Sequence, residues 1–100
     1  MAKSLFTIRK KRKEKHPQVV VGVTRTSFDT VSLTHSSKDR GKTNLPLPSN
    51  PDSDDERKAY VKKRIIRSFK FNFSKAFKNY QLSNEDIDVL IRFLESKKKK

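Results

Sequence analysis

Two residues that can do chemistry flank the strands predicted in HPQVVVGVTRTSFDTVSLTHSS, residues 16–37. His16 precedes the first strand, and Thr34 ends the second. An imidazole titrates near neutral pH and can act as acid or base, and a threonine hydroxyl can donate a hydrogen bond. In an antiparallel pair joined by a turn at RTSFD, both residues lie at the same edge of the sheet. The alternatives are structural: His16 caps a backbone carbonyl at a strand start, and His35 is a loop histidine.

The residue types present argue against a metal site. The chain has two histidines and no cysteine, which excludes disulfides, cysteine-based zinc sites and thiol catalysis. The acidic cluster DSDDE, residues 52–56, can bind a hard cation loosely, but a solvated turn is the favoured interpretation. We therefore expect no metal and no cofactor.

The charge of the chain indicates a polyanionic partner. Its 100 residues carry a formal net charge of +14, with an isoelectric point near 10.3. Such a charge on one small domain favours nucleic acid first and an anionic membrane surface second; the alternative is a charge that serves only solubility. No apolar run reaches the length of a membrane span, and no signal-peptide core follows the basic N-terminus. We expect a cytoplasmic protein with no membrane partner.

Basic and aromatic residues alternate in the second half of the sequence. Residues 57–80 contain nine basic residues and no acid, and RSFKFNFSKAFKNY interleaves them with phenylalanines. Most of these rings are expected in the core, but one or two exposed rings suffice to stack on bases. The predicted nucleic-acid-binding residues are Arg25, Arg40, Lys42, Lys62, Lys63, Arg64, Arg67, Lys70, Phe71, Lys75 and Lys78.

The order of elements predicts a mainly β fold of the α+β class. QVVVGVT, rich in β-branched residues, predicts a strand buried on both faces, and TVSLT predicts a half-buried strand. Prolines make NLPLPSNP extended, and AYVKKRIIRSFKF predicts a strand pair or one long bent strand. Because the turns are too short for parallel crossovers, we expect a small antiparallel, SH3-like barrel with a C-terminal helix.

The sequence indicates where the C-terminal helix begins and which of its faces is apolar. Ser83 is a good N-cap, and Glu85 and Asp86 place acid near the positive end of the helix dipole. The spacing i, i+3, i+4, i+7 predicts one apolar stripe, made of Ile87, Leu90, Ile91 and Leu94.

The two ends of the chain are interpreted as basic tails. Residues 1–15 hold seven basic residues and one acid, Glu14, and like charges this dense repel. We expect a mobile basic arm over residues 1–15 with a short ordered piece at SLFTI, a single barrel domain over residues 16–96, and a lysine tail over residues 97–100. Deleting residues 1–13 and 97–100 together is then expected to leave the melting temperature nearly unchanged and to weaken RNA binding.

The segments HPQVVV, VSLTHSS, GKTNLPL, AYVKKRIIRSF and QLSNEDIDVLIRFL follow one another in this order. In order and spacing the run over residues 16–94 resembles the MazF/PemK-type toxins, a family of small-barrel endoribonucleases. The resemblance implies a MazF-like barrel, RNA in preference to DNA, an acidic antitoxin-like protein partner, and a prokaryotic mobile element as the source. Thr34 matches the family's catalytic Thr/Ser position. His16 stands where the family has a catalytic arginine, and the family's opening strands have no counterpart in the basic arm.

Cleavage of RNA by its 2′-hydroxyl needs a base, an acid for the leaving oxygen and a cation for the phosphorane charge. His16 can supply acid or base, Thr34 a hydrogen bond, and a phosphate can be held by Arg25, Arg40 or Lys42. Imidazole replaces an always-charged guanidinium poorly at pH 7. We therefore expect weak cleavage or none, and a metal-independent reaction if there is one.

Three functions are compatible with these observations. The leading hypothesis is a small nucleic-acid-binding barrel, monomeric or homodimeric, that favours RNA. The second is an endoribonuclease toxin of a toxin–antitoxin pair that uses His16 and Thr34. The third is an interaction module whose basic face meets an acidic protein. Salt-dependent RNA binding separates the first two from the third, and RNA cleavage separates the second from the first.

Overall fold

The structure is a computed structural model that describes residues 5–39, 41–49, 51, 57–78 and 80–98, without the side chains of Asp39 and Lys98. Antiparallel strands and one C-terminal helix confirm the predicted mainly β, α+β class. The elements are β1 (Ile8–Arg9), β2 (Gln18–Val23), β3 (Ser27–Thr34), β4 (Lys38–Asp39), β5 (Lys42–Thr43), β6 (Leu45–Pro46), β7 (Tyr60–Val61), β8 (Ile66–Phe69), a 3₁₀ turn (Lys70–Asn72) and α1 (Asn84–Lys98).

Strand β3 organises the six-stranded sheet. One edge of β3 pairs with β2, while the other edge pairs with β8 over residues 27–30 and with β7 at residues 33–34. Strands β1 and β6 extend the sheet beyond β2 and β7, and β4 and β5 form a separate hairpin. The segment AYVKKRIIRSFKF therefore forms two strands, β7 and β8, and not one long bent strand. Both strands pair with β3, and they do not pair with each other.

Burial on β3 exceeds the expected half-buried pattern. Thr30 is fully buried and Thr34 nearly so, because the sheet curls and covers both faces of the strand. The predicted turn RTSFD is also too long, since β3 already begins at Ser27. The first four residues of β2 are buried, as predicted for a strand covered on both sides.

The N-terminal arm is part of the sheet: its order extends beyond the predicted ordered piece SLFTI, and the interpretation as a mobile tail is wrong for residues 9–12. Ile8 is 1% exposed and lies in the hydrophobic core. Main-chain bonds join the arm to the segment after β8: Phe77 N–H donates to Ile8 O, Ser74 N–H to Lys10 O, and Arg12 N–H to Asn72 O, each at 2.8 Å. These bonds close a ring of main-chain pairing through β1, β2, β3 and β8.

Helix α1 begins as predicted but presents a rotated apolar face. The backbone N–H of Asp86 donates to Ser83 Oγ at 3.1 Å, which confirms the N-cap. The buried apolar residues are Leu90 and Phe93, whereas Ile91, placed in the predicted stripe, is 40% exposed. The helix extends to Lys98, into the predicted lysine tail. Among the described residues, no helix combines the length and apolar character needed to cross a membrane.

Ile8 tests the role of the arm in folding. We expect Ile8→Ala to lower the free energy of unfolding by about 2–5 kcal/mol, the usual cost of truncating a buried aliphatic side chain. The exposed Lys10 is the matched control, and Lys10→Ala is expected to change it by less than about 0.5 kcal/mol. Urea unfolding followed by circular dichroism measures both. An unchanged midpoint for Ile8→Ala would contradict a contribution of the arm to folding.

Candidate functional site

A cleft lies where β2 begins and β3 ends. Antiparallel pairing brings these two positions together, and Leu33 N–H donates to Pro17 O at 2.8 Å. The cleft has a volume of about 240 Å³. It is lined by His16, Pro17, Leu33, Thr34, His35, Ser36, Arg57 and Tyr80. The structure therefore brings His16 and Thr34 to one cleft, at the same edge of the sheet.

The hydrogen bonds of the cleft hold two of its side chains in place. Thr34 is 5% exposed, and its Oγ1 accepts a bond from the backbone N–H of Ser36 at 3.2 Å. The Nδ1 of His35 lies 3.2 Å from Lys58 O. Because a carbonyl oxygen only accepts, this bond places a proton on Nδ1 of His35. Both histidines of the chain thus line the cleft, and His35 is the predicted loop residue, directly after β3.

Arg57 is the cleft residue that sequence reasoning missed. Arg57 directly follows the acidic cluster, and its sequence position marks it only as one of the nine basic residues of residues 57–80. The pairing of β7 with the end of β3 brings the segment that precedes β7 to the cleft. A guanidinium stays charged at all physiological pH values. The cleft therefore contains a permanent cation, although none stands directly before Pro17.

A buried polar cluster lies beside the cleft. Gln18 is 1% exposed; its Nε2 donates to Ser32 Oγ at 2.9 Å and to His16 O at 3.2 Å. Its Oε1 accepts a bond from the hydroxyl of the fully buried Thr30 at 3.1 Å. These bonds tie β2 to β3 and fix the backbone of His16. Gln18 therefore fixes the backbone at the start of β2, beside the cleft.

The opposite end of the β2–β3 hairpin carries aromatic and basic side chains; we call it the turn end. Phe69, the last residue of β8, pairs with Ser27, and Lys70 N–H donates to Thr26 O at 2.9 Å. Phe69 and Phe71 are 55% and 73% exposed, and their rings are nearly parallel, 5.4 Å apart with an interplanar angle of 12°. Sequence reasoning selected Phe71 and missed Phe69.

Two cations cover the ring of the buried Phe28 at the same end. The guanidinium carbon of Arg9 lies 5.0 Å from the ring centroid, and Lys70 Nζ lies 5.5 Å from it. The side chain of Arg9 also donates to Ser74 O and to Thr7 Oγ1, both at 3.1 Å. Burial lowers the pKa of Arg9, but a guanidinium remains charged at neutral pH. Arg9 of β1 and Lys70 of the 3₁₀ turn are therefore cations held against the ring of Phe28.

The arm adds further charge to the turn end. Its main-chain bonds to residues 72–74 place Lys10, Lys11 and Arg12 beside the segment that carries Phe71 and Lys75. Lys10, Arg12 and Lys75 are exposed. We call Arg9–Arg12 with Lys70 and Lys75 the basic edge.

Arg67 is less available to a ligand than its place in a basic segment suggests. Its Nε donates to one carboxylate oxygen of Asp29 at 2.7 Å, and its second guanidinium nitrogen to the other at 3.1 Å. This hydrogen bond, followed by charge attraction, raises the pKa of Arg67. Gly22 permits the arrangement, since a Cβ there would lie 3.0 Å from Asp29 Oδ2. The pair lowers the local net charge beside Phe69.

The other predicted binding residues are spread over the surface. Arg25 lies in the turn between β2 and β3, before Thr26, whose carbonyl accepts the bond from Lys70 N–H. Lys62, Lys63 and Arg64 lie between β7 and β8, Lys42 lies in the β4–β5 hairpin, and Lys78 is exposed beyond the arm contacts. Arg40 and the acidic cluster at residues 52–56 lie outside the described residues. Of the predicted set, the structure gathers Arg25, Arg67, Lys70, Phe71 and Lys75 at the turn end.

The sequence matches no known protein family, and no curated protein is significantly similar to it. The resemblance to MazF/PemK-type toxins stays a prediction that rests on the quoted segments.

The buried cluster around Gln18 can be tested by a double-mutant cycle. We expect Gln18→Leu to lower the free energy of unfolding by about 1–3 kcal/mol, because the Thr30 hydroxyl loses its main partner in the core. Thr30→Val is expected to cost a similar amount for the converse reason. The double variant Gln18→Leu/Thr30→Val is expected to cost clearly less than the sum, as measured by urea unfolding. Additive losses would contradict a shared network.

Proposed function

We propose that this protein binds nucleic acid, and RNA in preference to DNA, through the basic edge and the turn end. The observation that carries the proposal is the main-chain pairing of residues 10–12 with residues 72–74, which sets two basic segments side by side next to exposed aromatic rings. A phosphate backbone is the polyanion that such a row of cations fits. The net charge of +14 adds long-range attraction to it.

The preference for RNA and an origin in a mobile element rest on the MazF/PemK resemblance, whereas a cytoplasmic location stays a prediction from the sequence. The same resemblance makes an acidic antitoxin-like protein a plausible second ligand of the basic surface. A module that binds only an acidic protein is the competing proposal. It predicts no affinity for RNA at low salt.

Salt dependence tests the proposal. Six phosphate contacts would reduce affinity about a thousandfold between 50 and 200 mM salt. We expect Lys10→Gln/Arg12→Gln to lower the slope of log affinity against log salt by about 1.4–1.8, that is, two phosphate contacts. Arg92→Gln/Lys97→Gln on α1 is the control, because it removes the same net charge elsewhere. Fluorescence anisotropy of a labelled 20-nucleotide RNA measures each variant.

Two results would contradict this proposal. One is the absence of detectable RNA binding at 50 mM salt. The other is an equal loss of slope in the arm variant and the helix variant, which would mean that total charge, and not the basic edge, determines binding.

The cleft supports a second candidate, metal-independent cleavage of RNA. In this reaction the 2′ oxygen gives its proton to a base and attacks phosphorus, and the 5′ oxygen leaves with a proton from an acid. His16 and His35 can serve as the two proton carriers, and Thr34 can donate a hydrogen bond to the phosphate. Arg57 favours this candidate, because it brings to the cleft the fixed charge that a phosphorane needs.

Cleavage is tested with labelled single-stranded RNA in the presence of a chelator. If the cleft is catalytic, His16→Ala and Arg57→Gln should each abolish most of the cleavage while RNA binding persists, since neither residue belongs to the basic edge or to the aromatic pair. His16→Arg, which restores the order of the MazF/PemK pattern, is the variant expected to cleave best. Intact RNA with both the natural protein and His16→Arg would remove this candidate and leave binding as the function.

A further inference from the structure

The exposure of Phe69 and Phe71 runs against the usual burial of aromatic rings. Phenylalanine is among the residues most often buried, and an exposed apolar patch marks a contact surface. Here two phenylalanines separated by one residue are 55% and 73% exposed, while the lysine between them is only partly exposed. The chain thus turns the apolar residues outward and the cation inward.

Local structure explains how this inversion arises. Along β8, Arg67 and Phe69 are the exposed residues, so they share the outer face of the sheet. The 3₁₀ turn that follows carries Lys70 over the ring of Phe28, 5.5 Å from its centroid. The same turn brings the ring of Phe71 alongside Phe69, nearly parallel to it. The pair is therefore held by the backbone and by the Lys70 contact.

The surroundings of the pair point to a ligand that is both aromatic and anionic. The basic edge adjoins Phe71 through the bonds of Arg12 and Lys10 to residues 72–74. A purely apolar partner would have to desolvate these cations, whereas a polyanion gains from them. Unpaired bases offer flat rings with a phosphate every nucleotide.

We propose that Phe69 and Phe71 form a stacking site for unpaired bases of a nucleic-acid strand whose phosphates lie along the basic edge. The proposal rests on the nucleic-acid binding argued above and narrows it to single-stranded segments. Bases in a duplex already stack on each other, so the site would discriminate against paired strands.

The experiment compares two oligonucleotides of equal charge: a labelled 12-nucleotide single strand and its fully abasic counterpart. Stacking on an aromatic side chain strengthens binding by roughly 5- to 150-fold per base. We expect the natural protein to bind the base-containing strand at least about tenfold more tightly. Phe69→Ala/Phe71→Ala should remove this difference and keep the affinity for the abasic strand.

Matched variants separate stacking from general hydrophobic contact and from misfolding. Phe69→Leu/Phe71→Leu keeps apolar bulk without a flat ring, and is expected to behave like the alanine pair. Phe71→Trp keeps the ring, and should retain affinity. Because the chain contains no tryptophan, quenching of this single indole by the base-containing strand but not the abasic strand reports stacking directly. Ile91→Ala, which truncates an exposed apolar residue on α1, is the surface control and should bind like the natural protein.

The results that would refute the stacking site differ from those that would refute nucleic-acid binding itself. Equal affinity for both oligonucleotides, or full binding by the leucine pair, would refute stacking while leaving electrostatic binding intact. Self-association of the natural protein in sedimentation, lost in the alanine pair, would assign these rings to a protein interface instead. No binding of either oligonucleotide would refute the proposed function itself.

Discussion

The pairing of β3 on both of its edges is the constraint on which the rest of the structure depends. One edge takes β2 along nearly the whole strand, and the other is divided between β8 and β7. Because both edges are occupied and the sheet curls, β3 is buried on both faces and its polar Thr30 needs Gln18 as a partner. The turn end and the cleft are simply the two ends of this strand.

A chain this basic also has to place its cations without destabilising the fold. Arg9 and Lys70 do so by covering the ring of Phe28, where the negative face of the ring partly replaces lost hydration. The positive charge of Arg67 is balanced by the carboxylate of Asp29 in a salt bridge. Lys10 and Arg12 form main-chain bonds with the segment after β8, and their side chains are exposed. Their side chains therefore stay available for a ligand, and selection can change them without changing the fold.

Sequence patterns predicted the features that depend on residues close together in the chain. The β-branched run of β2 and the Ser83 cap both form as expected. The role of the arm could not be read from its charge, because Ile8 is buried by strands distant in sequence. The rotated face of α1 likewise depends on which side of the helix meets the sheet. In the cleft, His16 and Thr34 converge as antiparallel pairing requires, whereas Arg57 arrives from a segment whose path no local pattern specifies.

Strand β3 joins the turn end to the cleft, so its length limits the distance between them. Ser27, paired with Phe69, and Thr34, in the cleft, are seven residues apart on the strand, or about 23 Å at the rise of an extended chain. A stacked nucleic-acid strand advances about 3.4 Å per nucleotide. A nucleic-acid strand that ran alongside β3 from the turn end to the cleft would thus span about seven nucleotides. The distance between those two positions would then be set by the length of one β-strand, independently of nucleotide sequence.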